Sequence, residues 1–281
     1  MMRRIVLPVP PEPLPIGLET IGNNPDQEPI ERPLGYPCFH WLHTVDGEGE
    51  WEAEFGIWRL PPRTGILVHP GVPHRYRAKS SVWRTAYITF EGSAGLEWIR
   101  SAFGARTERY QWEQGENRIS AQWERMMTMA ESGGDRSGWE LSAELYRFLT
   151  LLKTAGRTDH RPSMSRRLEN MQSLLEWLET EYADPELSLS EMARRLGIGE
   201  RQLNERFRQL FGQSAYAYLI RLRLRKAKEK LPVLTHCTVK EIGEAVGFRD
   251  ASHFIATFRR KEGLTPEQYR RLHGSPLPRS E

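Results

Sequence analysis

GFRDASHFIATFRR, residues 247–260, places three arginines, a histidine and three phenylalanines in fourteen positions. Phe254 and Phe258 lie four apart, so on a helix they share one face, with Ile255 and Arg259 on a neighbouring one. Gly247 stands just before them, where a tight turn between two helices needs a residue without a side chain. The segment reads as the second half of a helix-turn-helix.

The same unit occurs twice. EMARRLGIGERQLNERFRQLFG (191–212) aligns with EIGEAVGFRDASHFIATFRRKEG (241–263), the second copy carrying one extra residue in its turn. Gly197 corresponds to Gly247, Leu203 to Phe254, Phe207 to Phe258, Gly212 to Gly263 and, six residues on, Tyr218 to Tyr269. Ser188 and Ser190 before the first copy, and Thr238 with Glu241 three later, supply N-cap chemistry. With the apolar faces turned inward, the second helices present Arg201, Asn204, Glu205 and Arg208 in one copy. In the other they present Ser252, Ile255, Ala256 and Arg259. Such faces fit a major groove, where Arg reads guanine, Asn adenine, Glu the cytosine amine and apolar groups the thymine methyl. Arg206, Arg221, Arg223, Arg225, Lys226, Lys228, Arg249, Arg260 and Lys261 are the candidate phosphate contacts.

Charge follows the same division. Residues 161–281 hold 22 Lys and Arg against 16 Asp and Glu, whereas residues 1–160 hold 18 against 21. A basic C-terminal half beside a slightly acidic N-terminal half suits a nucleic-acid binder joined to a second function.

Residues 168–272 resemble the DNA-binding domain of the AraC/XylS family of bacterial transcription regulators. The second motif of that family is matched by Ile242, Gly247, Phe248, Phe254, Phe258, Gly263, Pro266, Tyr269 and Arg270. The first is matched by Leu189, Ala193, Leu203, Phe207, Gly212, Tyr218, Leu219, Arg223 and Ala227. Gly199 departs from the pattern, since the family carries a capping serine there. The resemblance implies two helix-turn-helix units joined by a long helix over about 214–231, entering successive major-groove segments roughly 34 Å apart. Double-stranded DNA is then the partner, with RNA polymerase a second one for an activator.

The N-terminal half reads differently. Strands are expected at 39–45, 51–55, 57–60, 65–69 and 82–90, their alternation imperfect, as in a barrel with polar and aromatic groups inside. Helical spacing follows over 118–131 and 137–153. In the latter, Leu141, Leu145, Phe148, Leu149 and Leu152 form an apolar stripe. A stripe of this kind packs onto its own domain. Because two helices after a small barrel leave surplus apolar surface, Leu141, Leu145, Phe148 and Leu152 are also a candidate homodimer seam. Gly47-Glu48-Gly49, Gly65, Pro70, Pro73-His74, Tyr76, Trp83 and Phe90-Glu91-Gly92 resemble the cupin-like barrel that many members of the same family carry. That resemblance implies a small-molecule effector, frequently a sugar.

A sugar pocket needs aromatic faces for C–H surface and polar groups for hydroxyls. His40, Trp51, His74, Tyr76 and Tyr87 are the candidate ligand-binding residues, subject to a strand register that a one-residue slip inverts. A cupin-type metal enzyme with an accessory DNA-binding domain is one alternative, and a barrel that only dimerises is another. His40 and His43, three apart on a strand, face opposite ways and do not share one ion, and His74 alone adds too few ligands. No catalytic residue, metal or cofactor is assigned.

The fold expected is therefore α+β with two domains: a cupin-like β-barrel with following helices, then an all-α domain of two helix-turn-helix motifs joined by a long helix. The divisions are a Pro-rich arm (1–30), an effector-binding and dimerisation domain (31–155), a linker (156–165), the DNA-binding domain (166–274) and a C-terminal tail (275–281). The basic start has an apolar stretch broken by prolines 8, 10, 11, 13 and 15, so it reads as an extended arm rather than a targeting signal. Two unpartnered cysteines, Cys38 and Cys237, suit a reducing cytoplasm, and no apolar run reaches the roughly 18 residues of a membrane span.

Overall fold

The computed structural model describes residues 1–274 apart from positions 55, 93, 94, 105, 114, 116, 117, 136, 160 and 161. The tail expected at 275–281, and two positions of the expected linker, lie outside the described residues. The chain divides into two compact units, Met1–Arg166 and Arg167–Glu281.

The first unit contains strands β1 (Arg3–Val6), β2 (Gly17–Asn24), β3 (Ile30–Arg32), β4 (Phe39–Asp46), β5 (Gly49–Ala53), β6 (Gly56–Leu60), β7 (Thr64–Val68), β8 (His74–Ala78), β9 (Arg84–Glu91), β10 (Glu108–Gln111) and β11 (Arg157–Thr158). Helices α1 (Leu96–Phe103), α2 (Arg118–Ser132) and α3 (Trp139–Ala155) accompany them. The strands form two antiparallel sheets, one in the order β1-β2-β9-β4-β7-β10-β11 and the other β3-β8-β5-β6. No ladder joins the two sheets among the described residues. Leu42, Trp51, Leu60, Ile66, Val68, Tyr76 and Trp83 fill the space between them.

The larger sheet turns its other face to the helices, and Trp41, Ile88 and Phe90 pack there with Ile119, Met126, Leu145 and Phe148. Covering on both faces explains the imperfect alternation of the sequence. β4 is buried at six successive positions, with Phe39 and Trp41 turned to the helices and Leu42 to the small sheet.

Three sequence expectations differ from the structure here. The segment 1–30 is not a free arm: β1 pairs along β2, and β2 pairs with β9 from Gly17 to Asn24. The prolines interrupt only the stretch between these strands, and that stretch is itself tied down, since Pro15 O accepts from Gly95 N and Ile16 O from the Ser142 hydroxyl. The expected dimer seam is also spent internally. Leu141, Leu145, Phe148 and Leu152 are buried in the core of their own unit, against the sheet and α2. Likewise Arg157–Thr158, placed in the linker, adds an edge strand to β10.

The second unit contains α4 (Met164–Glu181), which begins at the end of the first unit, then α5 (Leu189–Arg195), α6 (Glu200–Phe211), α7 (Ala215–Lys230), α8 (Val239–Ala245), α9 (Ala251–Glu262) and α10 (Pro266–His273). α7 is the long joining helix that the resemblance implied. Its first half packs with α4, α5 and α6 around Met171, Leu203, Phe207 and Leu219. Its second half packs with α8 and α9 around Leu224, Ile242, Phe254 and Phe258.

Leu145→Glu is expected to unfold the first unit rather than separate two subunits, because a carboxylate there has no water and no partner. A lost cooperative melt bears this out; a folded monomer replacing a wild-type dimer in sedimentation contradicts it. Acid acts on the same core. His43, buried among Trp41, Trp112 and Trp123, has its pKa lowered by burial from 6.5 to about 4. The unfolded chain therefore binds more protons between those values, and stability present above pH 6.5 is lost as pH falls toward 4, by up to about 3 kcal/mol. Melts at pH 7.5 and 5 should show the decline, and His43→Gln should reduce it; an unchanged slope in the variant contradicts the assignment.

Candidate nucleic-acid interface and ligand cavity

Each helix-turn-helix is fixed by its own end chemistry. Ser188 caps α5 by accepting from Glu191 N, and Thr238 with Glu241 forms a capping box on α8. The extra residue in the second turn puts Asp250 at the N-cap of α9, where its carboxylate accepts from His253 N at 2.7 Å. At the matching place on α6 stands Gly199, with no side-chain cap.

On α6 Leu203 and Phe207 are buried, while Arg201, Glu205 and Arg208 are exposed. On α9 Phe254 and Phe258 are buried, while Ser252, Ile255, Ala256, Arg259 and Arg260 are exposed, Ile255 to 37%. The two copies thus present equivalent outward faces. Asn204 is the exception: its Oδ1 accepts from Ala215 N, the first residue of α7, at 3.0 Å. That acceptor is spent on a helix start and is not free to read adenine. Glu205 accepts from Gln209 one turn along. Gln202 is exposed beside Arg201, and polarity alone does not separate it from a solvated surface residue.

Several of the expected phosphate contacts have other employment. Arg225 and Lys226 pair with Glu179, Lys228 with Glu262, and Arg249 with Glu186. Arg223 is 3% exposed, and its Nε and Nη2 donate to the carbonyls of Tyr182 and Asp184 at 2.8 and 2.6 Å. Its guanidinium also lies against Gly247, where φ is +90° and an added Cβ would meet Tyr182 O at 2.6 Å and Arg223 Nε at 2.8 Å. Among the described residues Arg201, Arg206, Arg208, Arg221, Arg259, Arg260 and Lys261 form no ion pair and are available to a polyanion.

In the first unit a cavity of about 450 Å³ opens beside β4. Its lining includes His40, Tyr76 and Tyr87 from the sequence-derived set, together with Arg4, Thr20, Gln27, Arg32, Tyr36 and Thr89. Trp51 and His74 do not line it. They are stacked behind, with ring centroids 5.7 Å apart, and His74 stacks in turn on Tyr76. His74 Nδ1 bonds the Val72 carbonyl at 2.7 Å, and burial lowers its pKa. His40 is held neutral by burial, then by the charge of Arg32 and by His74. Tyr76 is pushed up to about 12 by burial.

Arg32 carries no sequence signal because β3 is three residues long, too short for an alternation to register, and Tyr36 lies in the connection after it, outside any strand. Tyr87 depends on the N-terminal strands. It pairs with Gly22 of β2, where a Cβ would come within 2.6 Å of the Tyr87 hydroxyl. His40 and His43 do lie on opposite faces of β4, the first at the cavity and the second at the helices. Among the described residues no cluster of three His, Cys, Asp or Glu side chains could hold a metal.

Comparison with known proteins agrees with this division. Residues 17–149 match the model of an AraC-like ligand binding domain, and residues 192–272 that of a helix-turn-helix domain. The HTH-type transcriptional activator RhaS of Escherichia coli is 30% identical over 123 residues, 44% of either chain. The chain therefore spans less than half the length of that relative. The C-terminal domain of the response regulator yesN from Fusobacterium nucleatum is 32% identical, covering 36% of this chain and 98% of its own, with a TM-score of 0.35. ToxT from Vibrio cholerae is 10% identical, covering 98% and 99%, also with a TM-score of 0.35.

Arg223→Ala should destabilise the second unit by on the order of 1.5–3 kcal/mol, since the carbonyls of half-buried Tyr182 and exposed Asp184 lose charged donors at once. Gly247→Ala should act in the same direction through its positive φ and the contact with Tyr182 O. Denaturant titration measures both, and near-wild-type midpoints would show that the joint is not where stability resides.

Proposed function

We propose that this chain, which belongs to the AraC family, is a DNA-binding transcription regulator whose N-terminal unit binds a small molecule. The observation that carries the DNA-binding reading is the pair of helices α6 and α9. Each buries two large apolar residues and leaves an exposed, arginine-bearing face without internal ion pairs. Arg201, Arg208 and Arg259 are the candidate base readers, with Ser252, Ile255 and Ala256 as the smaller or apolar contacts and Glu205 as an acceptor. Arg260 and Lys261 take phosphates.

The effector is read from the cavity, where tyrosine rings stand beside hydroxyls, amides and arginines, a lining suited to a carbohydrate-like polyol. Such a ligand regulates only by preferring one state of the protein over another. Activation, with RNA polymerase as the further partner, is the mode suggested by the name of the RhaS relative. A cytoplasmic location follows from the DNA target; no helix among the described residues is long and apolar enough to cross a membrane. A homodimer would use a surface other than the buried stripe. Trp139 and Tyr146, 48% and 51% exposed on α3, are the large hydrophobic groups that remain outside on that helix.

Selection from a random duplex library supplies the site on which variants are compared. Arg201→Ala should weaken binding to the selected duplex by about 1–3 kcal/mol, relax preference at one position and barely affect random DNA. Arg260→Ala should weaken both and reduce the salt slope by about 1. Equal loss on both duplexes from Arg201→Ala removes its base-reading role, and failure to enrich any sequence removes the DNA-reading function itself.

A further inference from the structure

The cavity beside β4 is chemically two-sided. On its inner wall the guanidinium of Arg32 is positioned by neutral groups alone. Its Nη1 donates to His40 Nδ1 at 3.2 Å, and it lies 4.5 Å from the centroid of the Tyr36 ring. Among the described residues it forms no ion pair with a carboxylate. Glu19 is engaged elsewhere, accepting the Tyr36 hydroxyl at 2.8 Å and the Thr89 hydroxyl at 2.5 Å. A guanidinium offers five N–H donors, so most of those on Arg32 are left by the single bond to His40.

His40 cannot compensate the charge, because burial and Arg32 itself keep its ring neutral. The charge of Arg32 also reaches the phenols of Tyr76 and Tyr87. On the outer side the cavity is bounded by Asp26 and Glu28, both exposed, and by the exposed Arg4.

We propose that the cavity takes a polyhydroxylated molecule bearing one carboxylate, a sugar acid, with the carboxylate on Arg32 and the hydroxyl end toward Asp26 and Glu28. The inference rests on the reading of the N-terminal unit as ligand-binding. Arg32 supplies the planar fork that matches a carboxylate, and two flat neutral neighbours hold that fork without neutralising it. Tyr76 and Tyr87 offer ring surface to the C–H groups of a pyranose. The two acids at the rim accept sugar hydroxyls and, outnumbering Arg4 there, leave that end net acidic, which favours a monoanion over a phosphate dianion. The volume of about 450 Å³ lies within the range of small-molecule sites.

The test is calorimetric titration of the full chain with D-galacturonate and D-glucuronate, beside D-galactose, D-glucose and D-glucose 6-phosphate. At least one uronate should bind saturably, with its neutral hexose weaker by on the order of tenfold or more. Arg32→Gln should erase that preference, and Arg32→Lys should keep part of it. The Lys variant carries the comparison should the Gln variant fail to show a wild-type melt. A neutral hexose binding as well as its acid overturns the Arg32 anchor while leaving the ligand-binding reading intact. Tighter binding of the sugar phosphate assigns the charge to phosphate and overturns the carboxylate. No binding by any of the five overturns the sugar-acid inference and removes support for the carbohydrate reading, whereas the duplex selection above is indifferent to all of these outcomes.

Discussion

A buried guanidinium bonded to two backbone carbonyls locks the helical second unit at its middle. Arg223 leaves the middle of α7, donates to two carbonyls just past the end of α4 and lies against the turn between α8 and α9. The two helix-turn-helix motifs have separate apolar cores, and α7 is the element that both cores share. Packing alone fixes each motif on its own half of α7. The Arg223 bonds add a polar lock at the middle of that helix, where Tyr182 flanks both cores. A lysine could not span both carbonyls with a planar fork, which is a physical reason for arginine at this place. Gly247 belongs to the same device, because its turn leaves no room for a side chain beside the guanidinium.

The first unit depends on a different constraint, a central strand covered on both sides. β4 gives one face to a large apolar core shared with α1–α3 and the other to the space between the sheets. Alternating side chains therefore divide labour along one strand: His43 stabilises a dry core as a neutral ring, and His40 faces a cavity. The N-terminal strands complete that cavity. Arg4 and Thr20 come from β1 and β2, Arg32 from β3, and Gly22 makes space for Tyr87. An early segment of the chain thus contributes much of the polar lining.

The duplicated motif was legible in the sequence because its marks are local. Glycines with positive φ at 197, 212, 247 and 263, and aromatic or leucine pairs four apart, survive in any context. What each side chain meets was less legible. Periodicity showed that Leu141, Leu145, Phe148 and Leu152 share a face, but an apolar face looks the same whether a second subunit or its own sheet covers it. Asn204 sits at a position that a helical wheel assigns to the surface, yet its amide is within reach of the next helix start. Arg223 and Arg225 read as cations for DNA, although one is buried on carbonyls and the other paired with Glu179. The prolines of the first fifteen residues hid strands on either side of them, and β3 was too short to carry a pattern.

On the proposed reading, one chain enters DNA with two helices held in a fixed relation by α7. Guanine methylation interference on a selected duplex tests it most directly, since N7 lies in the major groove that both helices are to enter. Two tracts of interference per bound chain are expected, their centres about one helical turn, roughly 10 base pairs, apart. A single tract, or no interference at any guanine of the selected duplex, would contradict it.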